Sequence, residues 1–320
     1  MPDWLIERGI GETRCALVED GSIVEARILL DGIARWGDIR VARLKSGGVP
    51  AVAIEGAVDG GQEYLLPRGA AGAAEGSTIS ITVTRERFPG TEPWKRPLAR
   101  LAEDCEPGPA PPIPDGETLA FPAPFDRLGE AGWDELIEEA RSGTVRFSRG
   151  ELRISATPAM TLIDVDGQLA PAELAVRGAE QAARAVRRLD IGGSIGIDLP
   201  TVAGRAPRQA SAEAIDAVLP KPFERTAVNG FGFVQIVRPR RRASLVELAG
   251  DRSAFEARAL LRRAALGPPG RKRLTAHTAV ISVLEARPDW LEALALQVGG
   301  SIDLRADASL AISGAHAACS

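Results

Sequence analysis

The sequence predicts a multidomain protein of mixed α/β and α+β class. Apolar runs at 160–165 and 194–199 flank a helical segment rich in Ala and Arg. This is the pattern of two parallel strands joined by a crossover helix. Short strands separated by Gly follow one another between 36 and 100, and a Pro-rich stretch at 101–124 then interrupts regular structure. A chain of 320 residues has room for several such domains.

The first 100 residues predict two different β structures. In residues 1–35, two apolar runs flank Asp20-Gly21, a dipeptide typical of tight hairpin turns. In residues 36–100, strands recur about every ten residues between glycines, which is typical of a small antiparallel barrel. The OB-fold is the barrel of this size that presents a face to oligonucleotides, so we predict an RNA-binding OB-fold here.

Several side chains of this barrel are candidate RNA-facing groups, although each could instead belong to an ordinary solvated strand face. They are Arg43, Lys45, Tyr64, Arg85, Arg87, Phe88 and the run Trp94-Lys95-Arg96. Tyr64, Lys95 and Arg96 are the ones we assign to RNA binding.

Residues 101–124 are predicted to be a linker, because a Pro-rich segment resists both helix and sheet. Residues 125–158 then predict a helix at 132–141 and two strands that turn at Arg149-Gly150. Beyond 245, helical and strand patterns alternate to the end of the chain. Residues 246–320 therefore predict a small α/β domain.

The apolar runs at 160–165 and 194–199 each carry an aspartate near their carboxyl end, Asp164 in the first and Asp198 in the second. Sites in open α/β sheets collect at the carboxyl ends of strands. A single Asp there is more often a turn residue, but two carboxylates on adjacent strands repel each other unless a cation lies between them. Magnesium, which binds through one or two carboxylates and keeps water and phosphate in its other positions, is the expected ion.

A third strand, G-F-G-F-V-Q-I-V, leads into a basic run at 238–242. We expect its arginines to point to solvent and to contact an RNA backbone, with an ordinary solvated strand end as the alternative. The four are Arg238, Arg240, Arg241 and Arg242.

Composition excludes several classes of protein. Apolar residues make up 45% and charged residues 26%, and no apolar run approaches the about 18 residues of a membrane span. The amino terminus shows no secretion signal, so a cytoplasmic protein is expected. The three cysteines are far apart in the sequence, which predicts unpaired thiols. Because the chain has only two histidines, we do not expect chemistry centred on imidazole. The net charge of −4 hides basic clusters in the last third of the chain.

Four motifs resemble the ribonuclease E/G family of endoribonucleases. They are E-T-R-C-A-L-V-E-D-G at 12–21, V-R-F-S-R-G-E-L-R-I-S-A-T-P-A-M-T-L-I-D-V-D-G at 145–167, D-I-G-G-S-I-G-I-D-L at 190–199 and F-G-F-V-Q-I-V-R-P-R at 231–240. The last three occur in the family's order and near its spacing. The resemblance covers about 200 of the 320 residues.

This resemblance implies a ribonuclease H-like domain, interrupted by the OB-fold, then a deoxyribonuclease-I-like catalytic domain and a small α/β domain. Residues 1–35 and 125–158 would form the two parts of the first domain, and residues 159–245 the catalytic domain. Asp164 and Asp198 would be catalytic and would hold Mg²⁺, or Mn²⁺ in its place. The implied reaction is hydrolysis of single-stranded RNA to leave 5′-phosphate and 3′-hydroxyl ends, with Lys95 matching the family's basic residue at the end of the OB module.

Three departures limit what the resemblance implies. Asp166 stands where the family usually has Asn and adds a negative charge, so we count it as a third candidate catalytic residue that could aid or impair the site. No C-P-x-C motif follows Arg242, so a homo-oligomer, if formed, has no zinc link. The segment before residue 125 is too short for a full sensor of 5′-monophosphate ends. A non-catalytic RNA-binding relative within an RNA-processing complex is therefore the alternative function.

Overall fold

The computed structural model describes residues 3–56, 60–89, 94–102, 107–108 and 116–319. The described strands are β1 (Asp3–Arg8), β2 (Glu12–Glu19), β3 (Ser22–Leu30), β4 (Ile39–Ser46), β5 (Ala51–Glu55), β6 (Gln62–Leu66), β7 (Thr78–Arg85), β8 (Leu98–Leu101), β9 (Gly116–Leu119), β10 (Thr144–Phe147), β11 (Gly150–Ala156), β12 (Thr161–Gly167), β13 (Gly193–Asp198), β14 (Glu224–Arg225), β15 (Phe233–Arg238), β16 (Lys272–Ala276), β17 (Ile302–Ala306) and β18 (His316–Cys319). The described α-helices are α1 (Arg127–Glu130), α2 (Trp133–Ser142), α3 (Pro171–Arg188), α4 (Arg205–Val218), α5 (Leu245–Gly250), α6 (Arg252–Leu266), α7 (Thr278–Glu285) and α8 (Pro288–Val298). These elements form three open sheets and one closed barrel, which confirms the predicted mixed α and β class.

The first sheet has the order β3-β2-β1-β9. The predicted hairpin turn is present, with Asp20 and Gly21 both at positive φ, as the primed turns that suit hairpins require. Strand β9 pairs parallel with β1, so part of the predicted linker at 101–124 is a strand. The sequence pattern missed it because a four-residue strand is stabilised by a distant partner rather than by its own periodicity.

The barrel is closed, with the strand order β4-β5-β6-β8-β7. Small and branched side chains fill it, among them Ala42, Leu44, Ala53 and Ile81, all buried. Strand β7 alternates buried and more exposed residues along its length, as expected when only one face of a strand turns inward. The predicted small barrel is therefore present in this part of the chain, with five strands. It is not antiparallel throughout, because β6 and β8 pair in parallel.

The third sheet has the order β10-β11-β12-β13-β15-β14. Strands β12 and β13 pair in parallel, and helix α3 connects them in the chain. This confirms the predicted strand–helix–strand unit. Strands β10 and β11 belong to this sheet, so the placement of residues 144–156 with the first domain is wrong. The reason is the hairpin between β11 and β12, which brings Leu152 and Ile154 into the core beneath this sheet.

Helix α3 lies between the first sheet and the six-stranded sheet, since it contacts β3 on one side and β11 and β12 on the other. Its buried residues are mostly small, including Ala179, Ala182 and Ala183. At Gly178 even a methyl group would lie 2.3 Å from Cγ1 of Val165. Small residues thus allow close packing against both sheets, and the two regions share one hydrophobic core. On the other face of β12, Leu162 is exposed.

The last part of the chain has its own core between helices α6, α7 and α8 and the sheet β17-β16-β18. A small α/β unit was predicted here, and the strands and helices agree with it. Buried ion pairs connect it to the first sheet, where Glu7 contacts Arg262 at 2.9 Å and Glu12 contacts Arg258 at 2.8 Å. In the described part of the chain, no helix combines the length and the apolar character needed to cross a membrane.

Candidate functional site

Asp164 and Asp198 are direct neighbours across the parallel strands β12 and β13. Adjacent strands lie about 4.8 Å apart, and paired residues project from the same face of a sheet. Both side chains are exposed, whereas Ile163 and Ile197, which precede them, are buried in the core. The sequence therefore brings two carboxylates together on the open face of the six-stranded sheet.

Strand β11 places further charges on the same face. Arg153 pairs with Asp164 across the antiparallel strands, and Glu151 pairs with Asp166. The Arg153 guanidinium donates from Nε and Nη2 to Oε1 of Glu151, at 3.0 and 2.8 Å. The Glu151 carboxylate, followed by those of Asp166 and Asp164, holds the pKa of Arg153 above its usual value. The positively charged Arg153 side chain thus lies beside the carboxylates of Glu151, Asp164 and Asp166.

The acids border an apolar floor that depends on Gly196. A Cβ atom at this position would lie 2.6 Å from Cζ of Phe233 and 3.0 Å from Cδ2 of Leu162. Leu162 pairs with Gly196, and Phe233 pairs with Asp198. Both apolar side chains therefore cover the space above the glycine, next to the two aspartates, and a larger residue at 196 would displace them.

An exposed aromatic ring lies at the rim of this site. Phe231 is 82% exposed, and its carbonyl accepts a hydrogen bond from the hydroxyl of Thr201 at 3.0 Å, three residues after Asp198. The Asn229 side chain accepts from the backbone N–H of Phe231 and of Phe233, at 2.9 and 3.0 Å. Sequence reasoning missed Phe231. The available signal was an aromatic residue between two glycines, directly before the strand that pairs with Asp198.

The structure places the three barrel residues assigned to RNA binding in different environments. Tyr64 is only 1% exposed and donates from its hydroxyl to Oε2 of Glu55 at 2.7 Å. Its assignment is wrong, because the ring fills the barrel core and has no face for a base. Arg96 is exposed and forms an ion pair of 3.1 Å with Glu63, and the adjacent Lys95 is half-buried.

The predicted solvent-facing arginine run is also wrong, because all four arginines are half-buried. Arg238 donates to the carbonyl of Ile191 at 2.9 Å, and Arg242 forms an ion pair of 3.0 Å with Asp190. Arg240 pairs with Glu247 and lies 4.1 Å from the centre of the Phe88 ring, and Arg241 lies 3.9 Å from the centre of the Trp36 ring. The run therefore packs back against the body of the protein.

The donor set at Asp164 and Asp198 is compatible with magnesium. Among the residues that the structure describes, no group of three or more His, Cys, Asp or Glu side chains is arranged to hold a metal ion. Magnesium does not require such a cage, because it commonly takes one or two carboxylates and fills its other positions with water and substrate phosphate. Two neighbouring, exposed carboxylates meet that requirement.

Comparison of the chain with models of known protein families gives no match, and comparison with curated proteins also gives none. Functional assignment therefore depends on the residues of the four motifs and on the positions they take in the structure.

Proposed function

We propose that the chain is a metal-dependent endoribonuclease that hydrolyses single-stranded RNA to 5′-phosphate and 3′-hydroxyl ends. The observation that carries the proposal is the pairing of Asp164 with Asp198 on adjacent parallel strands. The motifs that resemble the ribonuclease E/G family contain these two aspartates and the strand β15 beside them. Motif residues that are 34 positions apart in the sequence thus meet in one site.

The chain's own residues have separate tasks in this proposal. Asp164 and Asp198 would hold a divalent ion, and Arg153 would keep a positive charge near the phosphate backbone. A bound magnesium ion supplies a lowered pKa for water and neutralises charge on a phosphodiester. Phe231 offers a flat apolar face on which an unpaired base can stack, which favours single-stranded over double-stranded RNA.

The finer fold assignments belong to the same proposal. We infer that the closed barrel is an OB-fold, since it has the five strands of that fold. Trp94, which is 72% exposed, and the neighbouring Lys95 and Arg96 would contact RNA there. The four-stranded sheet would be the ribonuclease H-like part, and the six-stranded sheet with α3 and α4 the deoxyribonuclease-I-like part.

A second candidate function is RNA binding without cleavage, and the charge of the open sheet face favours it. Asp164, Asp166, Asp198 and Glu151 give this face four carboxylates, against the two guanidinium groups of Arg153 and Arg146. Without a cation this face repels phosphate. If the four acids do not hold a metal ion, the protein would bind RNA through its barrel and leave the RNA intact.

The test is incubation of a 5′-labelled single-stranded RNA with the full chain and Mg²⁺, with and without chelator. We expect metal-dependent cleavage that Asp198→Asn reduces by about a hundredfold or more, because several kcal/mol of transition-state stabilisation are lost. Asp20→Asn is the matched control, since Asp20 is an exposed turn residue at positive φ, a conformation that Asn adopts readily. Cleavage by Asp198→Asn at the wild-type rate would refute the nuclease, and RNA retained without cleavage by the wild type would favour the binding protein.

A further inference from the structure

A cavity of about 80 Å³ lies at the start of β13, at the opposite end of that strand from Asp198. Four arginines line it, Arg27 from β3 and Arg238, Arg241 and Arg242 from the end of β15 and the segment that follows, together with Glu25 and Asp190. A cavity needs only about 15 Å³ by this measure to hold one water. The space is therefore large enough for a small polyatomic ion.

The charges of this arginine pocket do not balance. Arg242 pairs with Asp190 at 3.0 Å, and Arg27 pairs with Glu25. Arg238 donates instead to the backbone carbonyls of Ile191 and Val186, and Arg241 lies against the Trp36 ring. In the described part of the chain neither of these two arginines has a carboxylate partner. The four guanidinium groups face Glu25 and Asp190 in the lining and Glu86 just outside it, 3.6 Å from Arg242, so four positive charges against three carboxylates leave one positive charge.

Burial makes this excess costly. Burial lowers the pKa of the Arg238 guanidinium. Burial, followed by repulsion from the nearby Arg242 and Arg27, also lowers the pKa of the Arg241 guanidinium. Positive groups that are partly removed from water and crowd each other are stabilised by an anion between them. The planar guanidinium also offers paired N–H donors whose spacing matches two oxygens of a phosphate.

We propose that the arginine pocket binds a phosphate group. The excess of positive charge and the paired N–H donors of the guanidinium groups match the negative charge and the oxygens of a phosphate monoester. The phosphate group can be carried by a small phosphorylated molecule or by the end of a nucleic-acid strand, because the pocket recognises only the chemistry that these two share.

This site is separate from the candidate nuclease site. Gly192 lines the pocket and directly precedes β13, whereas Asp198 is the last residue of that strand. At about 3.3 Å per residue the two ends of β13 are about 17 Å apart. Phosphate binding here therefore does not depend on the proposed nuclease activity, and Asp198→Asn should leave it unchanged.

The test uses thermal unfolding and isothermal titration of the full chain with sodium phosphate, against sodium chloride at equal ionic strength. We expect a saturable rise in Tm with phosphate, because a ligand that binds only the folded state stabilises it. In Arg241→Gln the phosphate Kd should rise at least tenfold. Arg305→Gln removes an exposed arginine from β17 in the three-stranded sheet and should bind phosphate as the wild type does.

Two outcomes would overturn the proposal: a rise in Tm that Arg241→Gln preserves in full, or no effect of phosphate on the wild type. If Arg241→Gln does not fold, Arg241→Lys keeps the charge but loses the paired donors, and it should bind phosphate several-fold more weakly. Wild-type affinity in that variant would equally refute the proposal.

The source of the phosphate is distinguished with three probes in the same titration. Uridine 5′-monophosphate represents a small molecule, and a 5′-phosphorylated tetranucleotide and its 5′-hydroxyl form represent a strand end. A preference for the phosphorylated probes that disappears in Arg241→Gln supports the pocket, and the tighter of the two phosphorylated probes identifies the source. Equal binding of the phosphorylated and hydroxyl tetranucleotides, with no binding of the mononucleotide, would contradict it.

Discussion

Glu12 and Arg258 are 246 residues apart in the chain, and their side chains form a buried ion pair of 2.8 Å. Arg14 lies on the same side of β2 and contacts Glu12 at 2.8 Å and Glu7 at 2.6 Å, while Arg262 completes the network through Glu7. The E-T-R motif at 12–14 thus has a structural task. It connects the first sheet to helix α6.

Arg258→Met should destabilise the protein by about 3–5 kcal/mol, because it leaves the carboxylate of Glu12 partly uncompensated in a buried site. Chemical denaturation followed by far-UV circular dichroism measures the loss. The double variant Glu12→Gln, Arg258→Met should lose less than the sum of the two single variants, since it removes both charges. Strict additivity would show that the pair does not interact energetically.

Asp166→Asn should tighten binding of single-stranded RNA. Asp166 lies on the open face two residues after Asp164, and its removal takes one negative charge away from the proposed path of the RNA phosphates. We expect a KM several-fold lower at low salt and little changed at high salt, where the repulsion is screened. Steady-state cleavage at two ionic strengths measures both. A raised KM at low salt would instead assign Asp166 a direct role in holding substrate or metal.

Phe231→Ala should weaken binding of single-stranded RNA by about 1–3 kcal/mol, the usual contribution of one stacked base. The ring is so exposed that its removal should leave the unfolding free energy almost unchanged. Leu296→Ala is the matched control, because Leu296 is 85% exposed on α8. Fluorescence anisotropy with a labelled RNA compares the two variants. Equal affinities would exclude Phe231 from the RNA path.

Cys15 should resist thiol reagents in the folded protein. Burial raises the pKa of its thiol from 9.0 to about 11, so the reactive thiolate is scarce at pH 8. In a Cys105→Ser background, Ellman's reagent should modify exposed Cys319 quickly and Cys15 only after denaturation.

The same shift in the pKa of Cys15 has a consequence for stability. The folded state holds this proton more tightly than the unfolded state does, so the contribution is complete below about pH 9 and is lost as the pH rises toward 11. The unfolding free energy should therefore fall more between pH 8 and pH 10.5 in the wild type than in Cys15→Ala, which lacks this proton. Parallel pH profiles would contradict the buried thiol.

The pairing of Asp164 with Asp198 was predictable because two apolar runs around a helix specify adjacent parallel strands. The burial of Tyr64 was not predictable, since the closure of the barrel decides which face of β6 turns inward. The half-buried positions of the arginines at 238–242 depend on partners far away in the sequence, among them Glu86 and Asp190. Local patterns find charges, and only the folded chain shows which of them neutralise each other.

The position of α3 between two sheets sets the smallest piece of this chain that we expect to fold on its own with Asp164 and Asp198 in place. A fragment that begins after the barrel would keep Asp164 and Asp198, but it would strip the covering strands from one side of an alanine-rich helix. The apolar face of α3 that is then exposed to water would favour aggregation over folding. A minimal fragment that keeps the two aspartates must therefore retain residues 3–30, even though these residues are far from the aspartates in the sequence.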